Sequence, residues 1–248
     1  MARADAPPRV TRRRRTGQEH YHRDIQGGGA RAAVFGVSDG LVSNVSLILG
    51  LSGAHPASSV IRLAGLAGLL GGAFSMAAGE YISMRAQKEL FEREIEVERR
   101  EIERHPTAEL RELVHLYEQR GIPSDLAEQL AKEVMSNPVI ALETHTREEL
   151  GVNPDSLGQP IQAAVSSFVT FSIGAVVPLV PFLVGGGTSA VLAAIVAAGL
   201  AALVVGGLLS LFTGRSWWWS SIRQLLICAV AGAVTYGLGS AVGVSGAG

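Results

Sequence analysis

Between residues 160 and 248 the chain carries two charged side chains, Arg215 and Arg223, and no acid at all. Three segments in this stretch, 163–184, 190–212 and 225–246, contain no charge. Each matches the run of about 20 apolar residues that a helix needs to cross the hydrocarbon of a bilayer. Two further apolar segments, 32–51 and 63–84, precede them. Buried helices of a large soluble protein are the alternative. Three successive uncharged segments of this length favour the membrane, because a soluble helix normally keeps one polar face. The expected fold is therefore an all-α integral membrane protein with five transmembrane helices.

The remaining charge is segregated. The chain holds 21 Lys and Arg against 22 Asp and Glu, for a net charge of −1 that hides the pattern. Residues 85–159 alone carry 17 acids and 10 bases. Charged residues make up 17% of the chain, against about a quarter in an ordinary soluble protein. This distribution excludes a uniform soluble globule, a wholly disordered chain and a collagen-like repeat. A disulfide scaffold is excluded by the single cysteine, Cys228, which lies in an apolar run.

Lys and Arg set the expected orientation. Residues 1–31 hold eight arginines, Arg12–Arg15 among them, against three acids, which keeps the N-terminus in the cytoplasm. Two spans return the chain to that side at 85–159, and two more at 213–223, where the late arginines lie. Five spans then leave the C-terminus outside, with Arg62 as the one outer exception. Trp217, Trp218 and Trp219 fall at the cytoplasmic boundary, where an aromatic belt is expected. Attraction to anionic lipid explains the arginine run more simply than nucleic-acid binding does, so no nucleic-acid partner is expected. No cleavable signal peptide is expected, since the arginine run is separated from the first apolar segment. The spacing of Gly36 with Gly40, and of Gly68 with Gly72, suits close helix packing in lipid.

The second span runs on past the bilayer. From Arg85 to His105 there is no Gly or Pro, which predicts one helix from the membrane into the cytoplasm, ended by Pro106. Further helices are expected over 107–120 and 124–136. Asn137 should cap a fourth with Pro138 at its first position, running to Leu150 with Gly151 as its stop. The domain plan is a basic, disordered tail (1–30), spans one and two (31–84), a cytoplasmic helical metal-binding domain (85–158) and spans three to five (159–248).

The nine glutamates between residues 89 and 112 of this insert fall into two groups. Glu89, Glu92, Glu96 and Glu103 have Lys or Arg one helical turn away and read as solvated ion pairs, worth a few tenths of a kcal/mol each. Glu94, Glu98, Glu109 and Glu112 have none at i±3 or i±4, and Glu101 has only Arg104. Stacked carboxylates destabilise a helix unless a cation lies between them, and a divalent metal supplies one. First-turn glutamates such as Glu109 are also favoured by the helix dipole alone. His145 and Glu149, at i and i+4, add nitrogen and oxygen ligands. His105 and His115 read as surface residues.

Asp39 lies inside the first span, where a charged side chain costs about 3 kcal/mol on insertion scales, so it is a functional candidate. Glu80 lies in the second span with Met76 one turn before it. Two carboxylates and a thioether form a mixed hard and soft lining that suits a transition metal better than Ca²⁺ or Mg²⁺.

The stretch 34–44, VFGVSDGLVSN, and the stretch 71–83, GGAFSMAAGEYIS, resemble the vacuolar iron transporter family. The glutamate-rich insert, Glu149 to Gly151 ahead of span three, and the five-span order match it too. The resemblance implies a homodimer of five-span subunits with the path at the dimer interface, exporting Fe²⁺, and often Mn²⁺, from the cytosol in exchange for protons. It implies that Asp39 and Met76 line the path, and that Glu98, Glu101, Glu109, Glu112 and Glu149 bind metal in the cytoplasmic domain. Plant members of the family carry methionine where this chain has His145 and Thr146. A ferritin-like domain, present ahead of the first span in some bacterial relatives, is not expected here.

The expected function is thus a proton-coupled antiporter, not an enzyme. Metal is gathered on the unpaired glutamates and passed toward Glu80, Met76 and Asp39, with Asp39 exchanging a proton for metal. A membrane ferroxidase is one rival, but di-iron bundles need two Glu-x-x-His motifs, and the insert has one, Glu112 to His115. A metal sensor or buffer is the other, and it leaves Asp39 without a role. Ligand types admit Fe²⁺, Mn²⁺, Co²⁺ and Zn²⁺ alike. Composition leans toward a bacterial inner membrane over a vacuolar one.

Overall fold

The structure, a computed structural model, describes residues 28–149, 151 and 158–245. Eight helices follow one another among them, with no strand: α1 (Gly28–Gly53), α2 (Ser58–Arg104), α3 (Pro106–Gln119), α4 (Ser124–Met135), α5 (Pro138–Glu149), α6 (Pro160–Val184), α7 (Gly187–Thr213) and α8 (Trp217–Ser245). Five of them, α1, α2, α6, α7 and α8, are long and apolar enough to cross a membrane. Residues 1–27 of the arginine-rich tail and Leu150, the expected end of the fourth insert helix, lie outside the described residues, while Gly28–Ala30, assigned to that tail by the sequence, open α1 instead.

All five candidate spans start earlier than the apolar pattern suggests, α2 and α8 by the most. α2 begins at Ser58, so Arg62 lies in its second turn, and α8 begins at Trp217 rather than near residue 225. Backbone hydrogen bonding carries a helix past the point where side chains turn polar. The three tryptophans are exposed, with Trp217 and Trp218 stacked 4.2 Å apart. Pro178 and Pro181 both sit within α6, where Pro178 is buried against neighbouring helices.

The membrane bundle is built around α1, which packs on α6 most extensively and also on α8, α2 and α7. Large side chains such as Leu41, Ile48, Leu179 and Phe182 fill its interior, beside one face of small residues. Ala190, Ala194, Ala198 and Ala202 form a buried ladder along one face of α7, while Leu192, Val196, Leu200 and Val204 on the same helix are exposed. On α7, large apolar groups outside and small ones inside reverse the soluble pattern and match helices associating in lipid. The expected close approach at Gly40 is present: a Cβ there would lie 2.8 Å from the Phe171 carbonyl carbon of α6. Gly174 answers from α6, where a Cβ would lie 2.8 Å from the Leu41 nitrogen of α1.

Between the second and third candidate spans, α3, α4 and α5 pack beside the far end of α2. Leu113, Tyr117, Ala127 and Ala131 form the core that joins α3 to α4. Asn137 caps α5, its Oδ1 accepting the backbone N–H of Val139 at 3.0 Å, with Pro138 at the first helical position. Pro106 opens α3, and His105 separates it from α2. Arg120 pairs with Glu148, tying α3 to α5.

Candidate functional site

Four ligating side chains converge where α5 crosses α2 and α3. Glu98 from α2, Glu109 from the first turn of α3, and His145 and Glu149 from α5 each offer an atom within 4.8 Å of the others. Two ligands on opposite sides of a divalent cation, each at about 2.1–2.4 Å, stand about 4–5 Å apart, so this spacing fits one ion. His145 is fully buried, placed by the α5 face that also buries Ala141. Its Nδ1 lies 3.0 Å from Glu149 Oε1, 3.2 Å from Glu98 Oε1 and 3.6 Å from Glu109 Oε2. One nitrogen carries at most one proton and satisfies only one of three carboxylates. Glu98 Oε1 and His145 Nε2 are buried without a hydrogen-bond partner.

Electrostatics follow from that crowding. Burial raises the Glu98 carboxyl from 4.5 to about 7, with the Glu149 charge adding to the rise and His145 opposing it. Burial also raises Glu109, against the pull of His145. Glu101 and Glu112 stand outside the four-residue group but close enough to act on it: Glu112 raises both Glu98 and Glu109, and Glu101 raises Glu109. Glu94 appears in neither set. His105 approaches Glu101 at 3.8 Å, and His115 bonds Gln119 at 2.9 Å, away from the group. Of the expected solvated ion pairs, Glu92 pairs with Lys88, Glu96 with Arg99 and Arg100, and Glu89, one turn from both Arg85 and Arg93, with Arg85. Glu103 forms no ion pair among the described residues, since Arg99 and Arg100 both turn to Glu96.

A second polar feature lies at membrane depth. A cavity of about 280 Å³ between α1, α2 and α6 is lined by Asp39, Ser43, Asn44, Ser75 and Met76, with Phe171 at its wall. Asp39 is on the exposed face of α1 and accepts a 2.7 Å hydrogen bond from Ser43 Oγ. Asp39 and Met76 thus meet at one cavity, while Glu80, one turn beyond Met76, is not among its lining residues. Attention to ionisable groups misses Asn44, Ser43 and Ser75. The cost of burying an amide in a span would have flagged Asn44.

Similarity to known proteins covers most of the chain. It is 30% identical over 227 residues to vacuolar iron transporter 1 of Oryza sativa subsp. japonica, covering 90% of each chain. Over 233 residues it is 33% identical to the vacuolar iron transporter of Acanthamoeba castellanii, covering 90% of this chain and 82% of that one. Vacuolar iron transporter 1 of Arabidopsis thaliana is 30% identical over 213 residues, covering 86% of this chain and 85% of that one. These relatives are transporters, not enzymes. Residues 30–240 match the VIT family profile. The chain is a multi-pass membrane protein that belongs to the VIT family.

Proposed function

We propose that the protein exports Fe²⁺, and Mn²⁺ with it, from the cytosol in exchange for protons. The observation that carries this reading is the continuity of α2. One helix, Ser58–Arg104, bears Glu98 of the four-ligand group and Met76 of the intramembrane cavity. At 1.5 Å per residue the two are about 33 Å apart, so α2 links a collection site outside the bilayer to a cavity within it. The insert, residues 85–158, is the cytoplasmic metal-binding domain in this reading. Glu98, Glu109, His145 and Glu149 hold the ion, Glu101 and Glu112 supply the surrounding negative field, and Glu94 adds only a distant charge. Glu80 receives the ion at the mouth of the span, and Met76 and Asp39 take it within. Asp39 carries a proton or a metal ion in turn, because an uncompensated charge at that depth is costly.

The exposure of Asp39 and Ser43 supports a homodimer, since a carboxylate facing lipid finds cover against a second copy. The eight-arginine tail supports a cytoplasmic N-terminus. Composition favours a bacterial inner membrane over a vacuole. An imidazole among carboxylates also suits Co²⁺ and Zn²⁺, which belong in the competition series.

Uptake by proteoliposomes under a pH gradient tests the proposal. The native protein should accumulate Fe²⁺ only with the gradient, and Asp39→Asn should abolish accumulation. Native-rate transport by Asp39→Asn would place the path elsewhere. Metal binding with no uptake by the native protein would make it a sensor or buffer.

A further inference from the structure

Asn44 stands in the wall of the intramembrane cavity and is 2% exposed. Its Nδ2 donates a 2.6 Å hydrogen bond to the Ala175 carbonyl of α6, while its Oδ1 is buried with no partner. The two facts are coupled. A carboxamide cannot turn its oxygen toward another donor without carrying Nδ2 away from Ala175. Ser38 Oγ and Ser167 Oγ are also buried without partners, but they are hydroxyls free to rotate, and neither lines this cavity. Gly68 of α2 leaves the space beside the oxygen open, since a Cβ there would lie 3.0 Å from Asn44 Oδ1.

An orphaned buried acceptor costs about 1–3 kcal/mol. Among the cavity-lining residues, Ser43 already donates its hydroxyl to Asp39. A cation satisfies a carbonyl oxygen as a donor would, and side-chain amide oxygens are ordinary ligands of hard divalent ions. We propose that Asn44 is a third ligand of the transported ion: a neutral oxygen, held in place by α6, that joins the Asp39 carboxylate and the Met76 thioether. This rests on the reading that the cavity is the transport path. A neutral ligand adds affinity with no further proton to displace, so proton exchange stays at Asp39. It also sets metal preference. The thioether favours softer ions and the amide oxygen harder ones, so Asn44 holds the site open to Mn²⁺.

The test is uptake of Mn²⁺ and of Zn²⁺, each alone, by proteoliposomes carrying the full chain. Asn44→Leu should raise the KM for Mn²⁺ roughly tenfold or more and that for Zn²⁺ far less, the size of effect seen when a site's polar partners are removed. Asn44→Asp, which keeps an oxygen but loses the donor to Ala175, should restore Mn²⁺ transport toward the native KM. Native KM values and metal order in Asn44→Leu would overturn the assignment. So would equal impairment of both variants for both metals, the result for a residue that only ties α1 to α6. Should Asn44→Leu fail to insert, native Mn²⁺ preference in Asn44→Asp supports a ligand oxygen and its loss overturns one. Asp39→Asn in the same vesicles separates the two levels. Its native-rate uptake would sink the path itself, whereas its failure alongside a native Asn44→Leu would sink only the role of Asn44.

Discussion

Glu98 Oε1 of α2 lies 3.2 Å from Nδ1 of His145 on α5, and neither Glu98 Oε1 nor His145 Nε2 has a hydrogen-bond partner. The pair joins the helix that enters the membrane to the last helix of the insert. With the ion bound as proposed, it also couples metal binding to pH. Burial, with Glu149 beside it, raises the Glu98 carboxyl from 4.5 to about 7. Below that value Glu98 holds a proton that a metal ion must displace. Binding should therefore weaken toward tenfold per unit as pH falls below about 7, and level off above it. Without metal the sign reverses: a raised carboxyl stabilises the fold in its protonated form, and that contribution is lost as pH rises from about 4.5 to 7. Calorimetric titration of the full chain with Mn²⁺ should show affinity about tenfold lower near pH 6 than near pH 8. A flat profile would remove Glu98 from the ligand set.

His145 and Glu94 should respond in opposite ways. His145 is fully buried among three carboxylates, and Glu94 is outside the group. His145→Leu removes the nitrogen and leaves those carboxylates facing an apolar side chain. Mn²⁺ affinity at the insert should drop by at least tenfold, about 1.4 kcal/mol. Glu94→Gln should change it by less than about threefold, the scale of a distant, screened charge. Equal losses in the two variants would mean that the insert holds metal by diffuse charge rather than at this group.

The contrast between these residues shows what a linear sequence conveys. Between Glu89 and Glu112, counting helical neighbours marks five glutamates without a full set of partners, since that count needs only the helical period. Which of them meet one another depends on how α5 crosses α2 and α3. That crossing is set by packing between helices distant in sequence, with Ala141 buried one turn from His145 on α5, and it gathers Glu98 and Glu109 with His145 and Glu149. The spans are legible because uncharged length is a one-dimensional property, whereas the early starts at Ser58 and Trp217 rest on backbone bonding that polar side chains do not interrupt. Asp39 announces itself by charge. Asn44 carries none: its sequence signal is the cost of an amide in a span, and the bond to Ala175 with the orphaned oxygen shows what that amide does.

The α1–α6 crossing should tolerate no side chain at Gly40. A Cβ there meets the Phe171 carbonyl carbon at 2.8 Å, and backbone cannot swing aside as a flexible side chain does. Gly40→Ala should cost at least the 1–3 kcal/mol typical of overpacking, roughly, and shift both α1 and the cavity wall that Asp39 shares. Gly199→Ala is the control, because its Cβ would meet only Leu225 Cδ1 at 3.7 Å. Thermal unfolding in detergent should show a clear drop in Tm for Gly40→Ala and little change for Gly199→Ala. A native Tm for Gly40→Ala would mean that these helices pack less closely.

In the proposed homodimer the second copy should sit on the exposed face of α1. Asp39, Ser43 and Leu47 recur at every fourth residue on α1 and are exposed, and Ser75 of α2 is exposed at the same cavity. Leu200 of α7 is exposed amid large apolar side chains and should face lipid. In a Cys228→Ala background, which removes the buried native thiol, at least one of Ser43→Cys, Leu47→Cys and Ser75→Cys should form a disulfide-linked dimer in membranes on mild oxidation. Leu200→Cys should stay monomeric under the same treatment. Cross-linking confined to Leu200→Cys would place the interface on α7. Asp39 would then lie against lipid at a cost of about 3 kcal/mol on insertion scales, with no second subunit to offset it.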